Sequence, residues 1–226
     1  IPAIGVVFHA AALSQTIMTR DGQNFSLTNV ISMVNWIITF SFTILLCRLK
    51  VIVVLPVVYA CSVISVALLW LVPPEYIIHF EIHPDVLVHV VLSLMAYSAL
   101  MIAALYAIQL AIIQNRLKNK KIVMTSAMPP LMTVEKQLYQ LVMTGFVLLT
   151  LSLASGFFFL ENMLAQGQAH KTVLSILAWA CYAYLLWQHH QQGVKIRTSV
   201  HVTIIGAGLL TLAYFGSRFI SEMLLA

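Results

Sequence analysis

Charged residues are scarce in this chain, and their scarcity excludes an ordinary soluble protein. Only 8% of the 226 residues are Asp, Glu, Lys or Arg, whereas 61% are hydrophobic. Soluble domains carry about 25% charged residues. The composition therefore predicts an integral membrane protein whose surroundings are the lipid bilayer.

Cysteine and the common catalytic motifs are also nearly absent. The three cysteines, Cys47, Cys61 and Cys181, lie in apolar segments, and none belongs to a CxxC pair. They are interpreted as small packing residues rather than as redox groups. The apolar segments contain no activated nucleophile, no phosphate-binding loop and no paired carboxylates. An enzyme is therefore not predicted.

Long apolar segments make up most of the sequence. Seven of them are each roughly 20 residues long, enough to cross about 30 Å of hydrocarbon as helices. Their approximate bounds are 1–19, 28–47, 51–72, 86–114, 137–160, 172–188 and 200–225. They predict an all-α polytopic membrane helix bundle, with a single transmembrane domain over residues 1–226 and no soluble domain. Because Ile1 already lies in apolar sequence, one further helix is expected to precede it.

The basic residues are concentrated on one side of these segments. Nine of the twelve Lys and Arg residues lie in the links at 48–50, 115–136 and 189–199, whereas six of the seven acidic residues lie on the other side. Cytoplasmic links are enriched in Lys and Arg. These three links are therefore predicted to be cytoplasmic and the C-terminus external, in a bacterial inner membrane. Topology and anionic headgroups explain the basic links without any nucleic acid.

Two histidines lie inside apolar helices, where ionisable groups often mark a functional site. His9 lies about eight residues into its segment, roughly 12 Å from the cytoplasmic end at 1.5 Å per residue. His89 lies near the outer surface, so the two are not expected to share one small metal ion. Neutral imidazole is a good axial ligand for haem iron. The alternative for each is a hydrogen bond to a neighbouring helix.

A second cluster of potential ligands lies in the link before His89. His79, Glu81 and His83 alternate along the sequence YIIHFEIHPD, so an extended backbone would place them on one face. Histidine and carboxylate together suit zinc or another divalent ion. The same alternation is also typical of an amphipathic segment on the membrane surface. Both interpretations stay open.

Several stretches, taken in order, resemble one family. The residues from His9 to Asn29 place a membrane histidine before a polar link that ends in Asn, and VLVHVVLSLMAYSAL places His89 at the start of a helix. The stretch HKTVLSILAWACYAYLLW contains Lys171, Trp179 and Tyr182 in a third pattern. These stretches resemble the cytochrome c assembly proteins of the CcsA/CcmC type. The segments 129–159 and 209–224 are more similar to that family's compact inner-membrane branch, called YpjD- or HemX-like.

The chain departs from the family pattern at four places. The family's Trp-rich haem-handling loop falls near 158–171, which contains no tryptophan, and Ala169 and His170 replace the Asp that precedes the motif Lys. The second membrane histidine falls at Trp187, although His189 and His190 are close by. The second outer histidine falls near Tyr214 or Phe215.

The resemblance implies residual haem binding, with His9 as an inner ligand and His89 as an outer ligand. It implies a role in haem traffic or cytochrome assembly, but not haem attachment, because the tryptophan platform and both partner histidines are missing. The alternative is a non-haem accessory or regulatory subunit of another membrane protein, such as an ion transporter. The absence of a fully formed haem site favours that alternative.

Overall fold

Seven helices account for most of the part of the chain that the structure describes. The computed structural model describes residues 2–19, 22–45, 54–71, 77–78, 84–119, 130–159 and 169–216. The helices are α1 Pro2–Ile17, α2 Leu27–Leu45, α3 Leu55–Leu71, α4 Pro84–Lys118, α5 Leu131–Phe159, α6 Ala169–Gln192 and α7 Ile196–Thr211. Each predicted apolar segment overlaps one of these helices, and α4, α5 and α6 are longer than the segments that predicted them. The prediction of a helical membrane bundle is confirmed.

Among the described residues, four helices are long and apolar enough to cross a membrane. Their spanning parts are Leu27–Ile44, Val86–Lys118, Leu131–Phe158 and Ile196–Gly216. The apolar parts of α1 and α3, Ala3–Ile17 and Leu55–Leu71, are shorter, so a total of seven crossings stays a prediction. Large apolar side chains cover the outside of the bundle, with Trp70 82% exposed and Phe158 78% exposed, as expected for a surface that faces lipid.

Helices form here because a backbone inside lipid must satisfy its polar groups internally. Pro84 occupies the first position of α4, where its missing N–H leaves no hydrogen bond unmade. Gly193 directly follows α6 with φ +70°, a left-handed conformation that favours glycine and ends the helix. After this short link the chain turns back and forms α7. Local sequence therefore sets the helix boundaries.

A small antiparallel sheet joins two links at one end of the bundle. Strands β1 (Met18–Thr19), β2 (Gly22–Asn24) and β3 (Ile77–Ile78) pair in the order β1-β2-β3. The sequence did not predict these strands, because each is too short to show an alternating pattern. His79, Glu81 and His83 follow β3 and lie outside the described residues. We call this end of the bundle the sheet end.

Helix α4 lies at the centre of the bundle and contacts α2, α5 and α7. Leu100, Tyr106 and Leu110 on this helix are fully buried. Successive helices run in opposite directions, so the starts of α2, α4 and α6 meet the ends of α5 and α7 at the sheet end. This meeting of five helix ends creates the cavity described next.

Candidate functional site: a histidine cavity at the sheet end

A cavity of about 220 Å³ lies at the sheet end, between α2, α4, α5, α6 and α7. Its polar lining includes His89, Ser93, Ser152, Lys171 and Tyr214. Phe25, Tyr97 and Phe215 belong to its aromatic lining. One imidazole, one ammonium group, several hydroxyls and a largely apolar wall therefore surround a single space.

The hydrogen bonds of His89 are compatible with a proton on Nδ1. Nδ1 lies 3.0 Å from the Ser155 hydroxyl oxygen. Ser155 donates its only proton to the carbonyl oxygen of Ser152, at 2.8 Å. When Ser155 donates to that carbonyl, its oxygen accepts the Nδ1–H of His89. In a neutral imidazole the second nitrogen, Nε2, is then unprotonated.

The second ring nitrogen of His89, Nε2, has a long contact, which leaves its lone pair largely unused. The Ser93 hydroxyl oxygen lies at a long 3.4 Å from Nε2. Ser93 donates its proton to the carbonyl oxygen of His89, at 2.6 Å, and its oxygen also lies 2.7 Å from that of Ser152. Metal-binding histidines are usually oriented in this way, by a hydrogen bond from the nitrogen that does not bind the metal. His89 therefore has the form of an imidazole ligand.

An aromatic group forms the wall beside α7. The Tyr97 ring lies 5.1 Å from Tyr214 and 5.6 Å from Phe215, measured between centroids. Tyr214 and Phe215 lie in a π-helical turn, Leu212–Gly216, that continues α7. Such turns are frequent at functional sites. The position at which the resemblance placed a second outer histidine thus does face the cavity, with Tyr214 and Phe215 in its place.

His9 occupies a separate, buried position among α1, α2 and α3. Its side chain is only 4% exposed. Nδ1 is hydrogen bonded to the Ser62 hydroxyl at 2.9 Å and Nε2 to the Ser32 hydroxyl at 2.8 Å. Because both ring nitrogens are used, a metal could bind His9 only after one serine turned away. In this arrangement His9 joins three helices.

Replacing His9 by alanine is expected to lower stability. The loss of two interhelical hydrogen bonds costs about 0.6–1.7 kcal/mol each within membranes. The thermal denaturation midpoint of the detergent-solubilised protein measures the effect. Ser14→Ala on the same helix is the control, because Ser14 is exposed and donates only to the local Ala11 carbonyl. Equal midpoints for the two variants would contradict the role of His9 in joining the helices.

The residues at and near the family's second membrane-histidine position lie elsewhere in the bundle. Trp187 on α6 is 64% exposed, and His189 stacks on Tyr139 of α5, with centroids 3.4 Å apart. Within the described residues, no group of three or more His, Cys, Asp or Glu side chains could hold a metal ion. The proposed zinc ligands His79, Glu81 and His83 lie outside that part of the chain.

The serines that contact His89 were not predicted from the sequence. Ser93 follows His89 by one helical turn, and Ser152 and Ser155 are three apart on α5. This spacing places each pair on one helix face. Serines at helical spacing within an apolar segment were therefore an available signal, but only the packing of α4 against α5 shows that they meet His89.

One family model and several known proteins match this chain. The model of the family described as "Cytochrome C assembly protein" matches residues 2–225. The inner membrane protein YpjD of Escherichia coli (strain K12) is 45% identical over 223 residues, which are 98% of this chain and 85% of that protein. An uncharacterized 28.8 kDa protein of Azospirillum brasilense is 29% identical over 140 residues, 61% of this chain and 52% of that protein. No solved structure matches the chain.

Proposed function

Because this chain belongs to the cytochrome c assembly protein family, we propose that it binds haem in the cavity at the sheet end. His89 is the iron ligand in this proposal. The protein acts in haem traffic or cytochrome assembly and neither attaches haem nor catalyses another reaction. This role needs a binding site but no group that forms or breaks covalent bonds.

The single observation that carries the proposal is the hydrogen bonding of His89. Ser155 accepts the Nδ1–H, which leaves Nε2 with a lone pair on a residue that lines the cavity. Haem supplies an iron atom that takes neutral imidazole as an axial ligand. The aromatic and apolar wall suits a flat hydrophobic ring, and the Lys171 ammonium group suits its carboxylates.

The size of the cavity implies that its wall moves when haem enters. Pockets for small molecules usually measure about 300–1,000 Å³, whereas this cavity measures about 220 Å³. Tyr214 and Phe215 form the wall on the π-helical turn, where the regular α-helical bonding is already interrupted. We expect these two side chains to be displaced by the ring.

The orientation in the membrane follows from charge. The basic residues Arg116 and Lys118 lie in the last turn of α4, at the end of the bundle opposite the sheet end. By the preference of Lys and Arg for cytoplasmic links, the cavity faces the outer side of a bacterial inner membrane. A relative that is 45% identical is itself named an inner membrane protein. The haem in this proposal is therefore handled at the outer surface.

Titration of the purified protein with haemin tests the proposal. We expect a shifted and intensified Soret band that saturates at one haem per chain if only the His89 cavity binds. Saturation at two haems would support the predicted inner ligand, His9, as well. A Soret band identical to that of haemin in protein-free detergent micelles would contradict haem binding.

The alternative function, a non-haem accessory subunit, is favoured by the geometry of His9. Both of its ring nitrogens are satisfied by serines, so this membrane histidine needs no ligand to explain it. Purification under mild conditions distinguishes the two functions. Stoichiometric recovery of a second membrane protein, with no haem and no haemin affinity, would favour the accessory subunit.

A further inference from the structure

Three buried polar side chains on α4 have unpartnered polar atoms within the part of the chain that the structure describes. They are Ser98, Tyr106 and Gln109, which are 1%, 0% and 1% exposed. The Ser98 and Tyr106 hydroxyls and both polar atoms of the Gln109 amide are unpartnered. More than about 90% of buried polar groups in proteins bond to protein or to ordered water. Three exceptions on one helix therefore require an explanation.

The three residues lie on one side of α4. At 3.6 residues per turn they fall within an arc of about 80°, and at 1.5 Å per residue they extend over about 16 Å. Tyr106 faces α2, because its ring stacks on Phe42 with centroids 6.1 Å apart. Side chains on a helix lean towards its N-terminus, so the Tyr106 phenol extends from its own turn towards Ser98.

We propose that these three side chains bind a file of internal water molecules between α4 and its neighbours. The unpartnered atoms include both donors and acceptors and carry no charge, which suits water better than a metal ion or an anion. A buried water typically makes about three hydrogen bonds, and the Gln109 amide alone has two donors and one acceptor oxygen to offer. The file begins beside Tyr97, which lines the cavity.

This proposed water site depends neither on haem binding nor on the family to which the chain belongs. It places water in the interior of the bundle, deeper along α4 than His89. The cavity and the file together place polar groups along α4 from His89 to Gln109. In this proposal, water therefore occupies the interior of the bundle on the side of the cavity away from the sheet end.

Radiolytic hydroxyl labelling with mass spectrometry tests the water file, because hydroxyl radicals formed from bound water oxidise adjacent side chains. Tyr182 is the matched control. It is also 0% exposed, but its hydroxyl donates to the Thr203 carbonyl at 3.3 Å. We expect Tyr106 to be oxidised several-fold faster than Tyr182 in the same sample of full-length protein. Equal rates for the two tyrosines would overturn the proposal.

A second variant distinguishes a site that holds water from a dry site whose polar groups are unsatisfied. In Gln109→Leu, which has nearly the same volume, we expect the oxidation of Tyr106 to slow because the waters lose their main partner. A dry site predicts instead that the rate is unchanged and that thermal stability rises, since an unsatisfied amide has been removed. That combination would also overturn the proposal.

Discussion

Replacing His89 by alanine is expected to raise the Kd for haem by more than about 100-fold. Removing the groups that orient a metal ligand lowers metal affinity by about 10- to 100-fold. Removing the ligand itself is expected to lower the affinity further. Haemin titration followed at the Soret band measures the change. The circular dichroism spectrum should stay that of a folded helical bundle, because His89 lies at the edge of a cavity.

Two further variants show whether His89 acts in the proposed form. Ser155→Ala removes the acceptor of the Nδ1–H, so we expect a Kd raised by about 10- to 100-fold. His190→Ala, an exposed histidine at the other end of the bundle, should leave the Kd unchanged. Equal affinities of the wild type, His89→Ala and His190→Ala would show that the bound haem does not use His89.

Replacing Gly206 by alanine is expected to destabilise the bundle by about 1–3 kcal/mol, the usual cost of overpacking a core. An ideal Cβ at Gly206 would lie 2.6 Å from Cζ of Tyr182. That ring is fully buried, so it cannot move aside without disturbing its own neighbours. The glycine therefore permits the close packing of α7 against α6. Unfolding of the purified protein by increasing fractions of denaturing detergent measures the loss.

Gly208, two residues along the same helix, is the matched control. A Cβ there would meet no atom within 4 Å, and alanine favours helix over glycine by up to about 1 kcal/mol. We expect Gly208→Ala to be neutral or slightly stabilising. If both variants lost the same stability, the effect would come from α7 itself rather than from its contact with Tyr182.

The helices could be predicted from sequence because each apolar segment forms its own backbone hydrogen bonds. The segments 28–47 and 51–72 correspond closely to Leu27–Leu45 and Leu55–Leu71. The strand Ile77–Ile78 could not be predicted, because its pairing with β2 depends on two links that are distant in the chain. Local physics determines a helix, whereas distant contacts determine a short strand.

The same distinction applies to the histidines. From sequence, His9 and His89 were equivalent candidates, each an imidazole in an apolar helix. The structure separates them: serines hold both nitrogens of His9, whereas the bonds at His89 occupy Nδ1 and leave Nε2 with a long contact. Most of this difference is absent from the local sequence, because Ser32, Ser62 and Ser155 lie on other helices than the histidines they contact, and only Ser93 shares a helix with its histidine.

The sequence by itself determined that this protein is a helical membrane bundle of the cytochrome c assembly family, and that His89 lies just inside the start of an apolar helix. Composition and apolar length are properties of single segments, so they are readable without a fold. Only the tertiary structure decided that His89 meets Ser155 and lines a cavity with Tyr214. It also decided that Gln109 is buried without a partner. Hydrogen bonding and burial depend on which helices pack together, and that is a property of the whole chain.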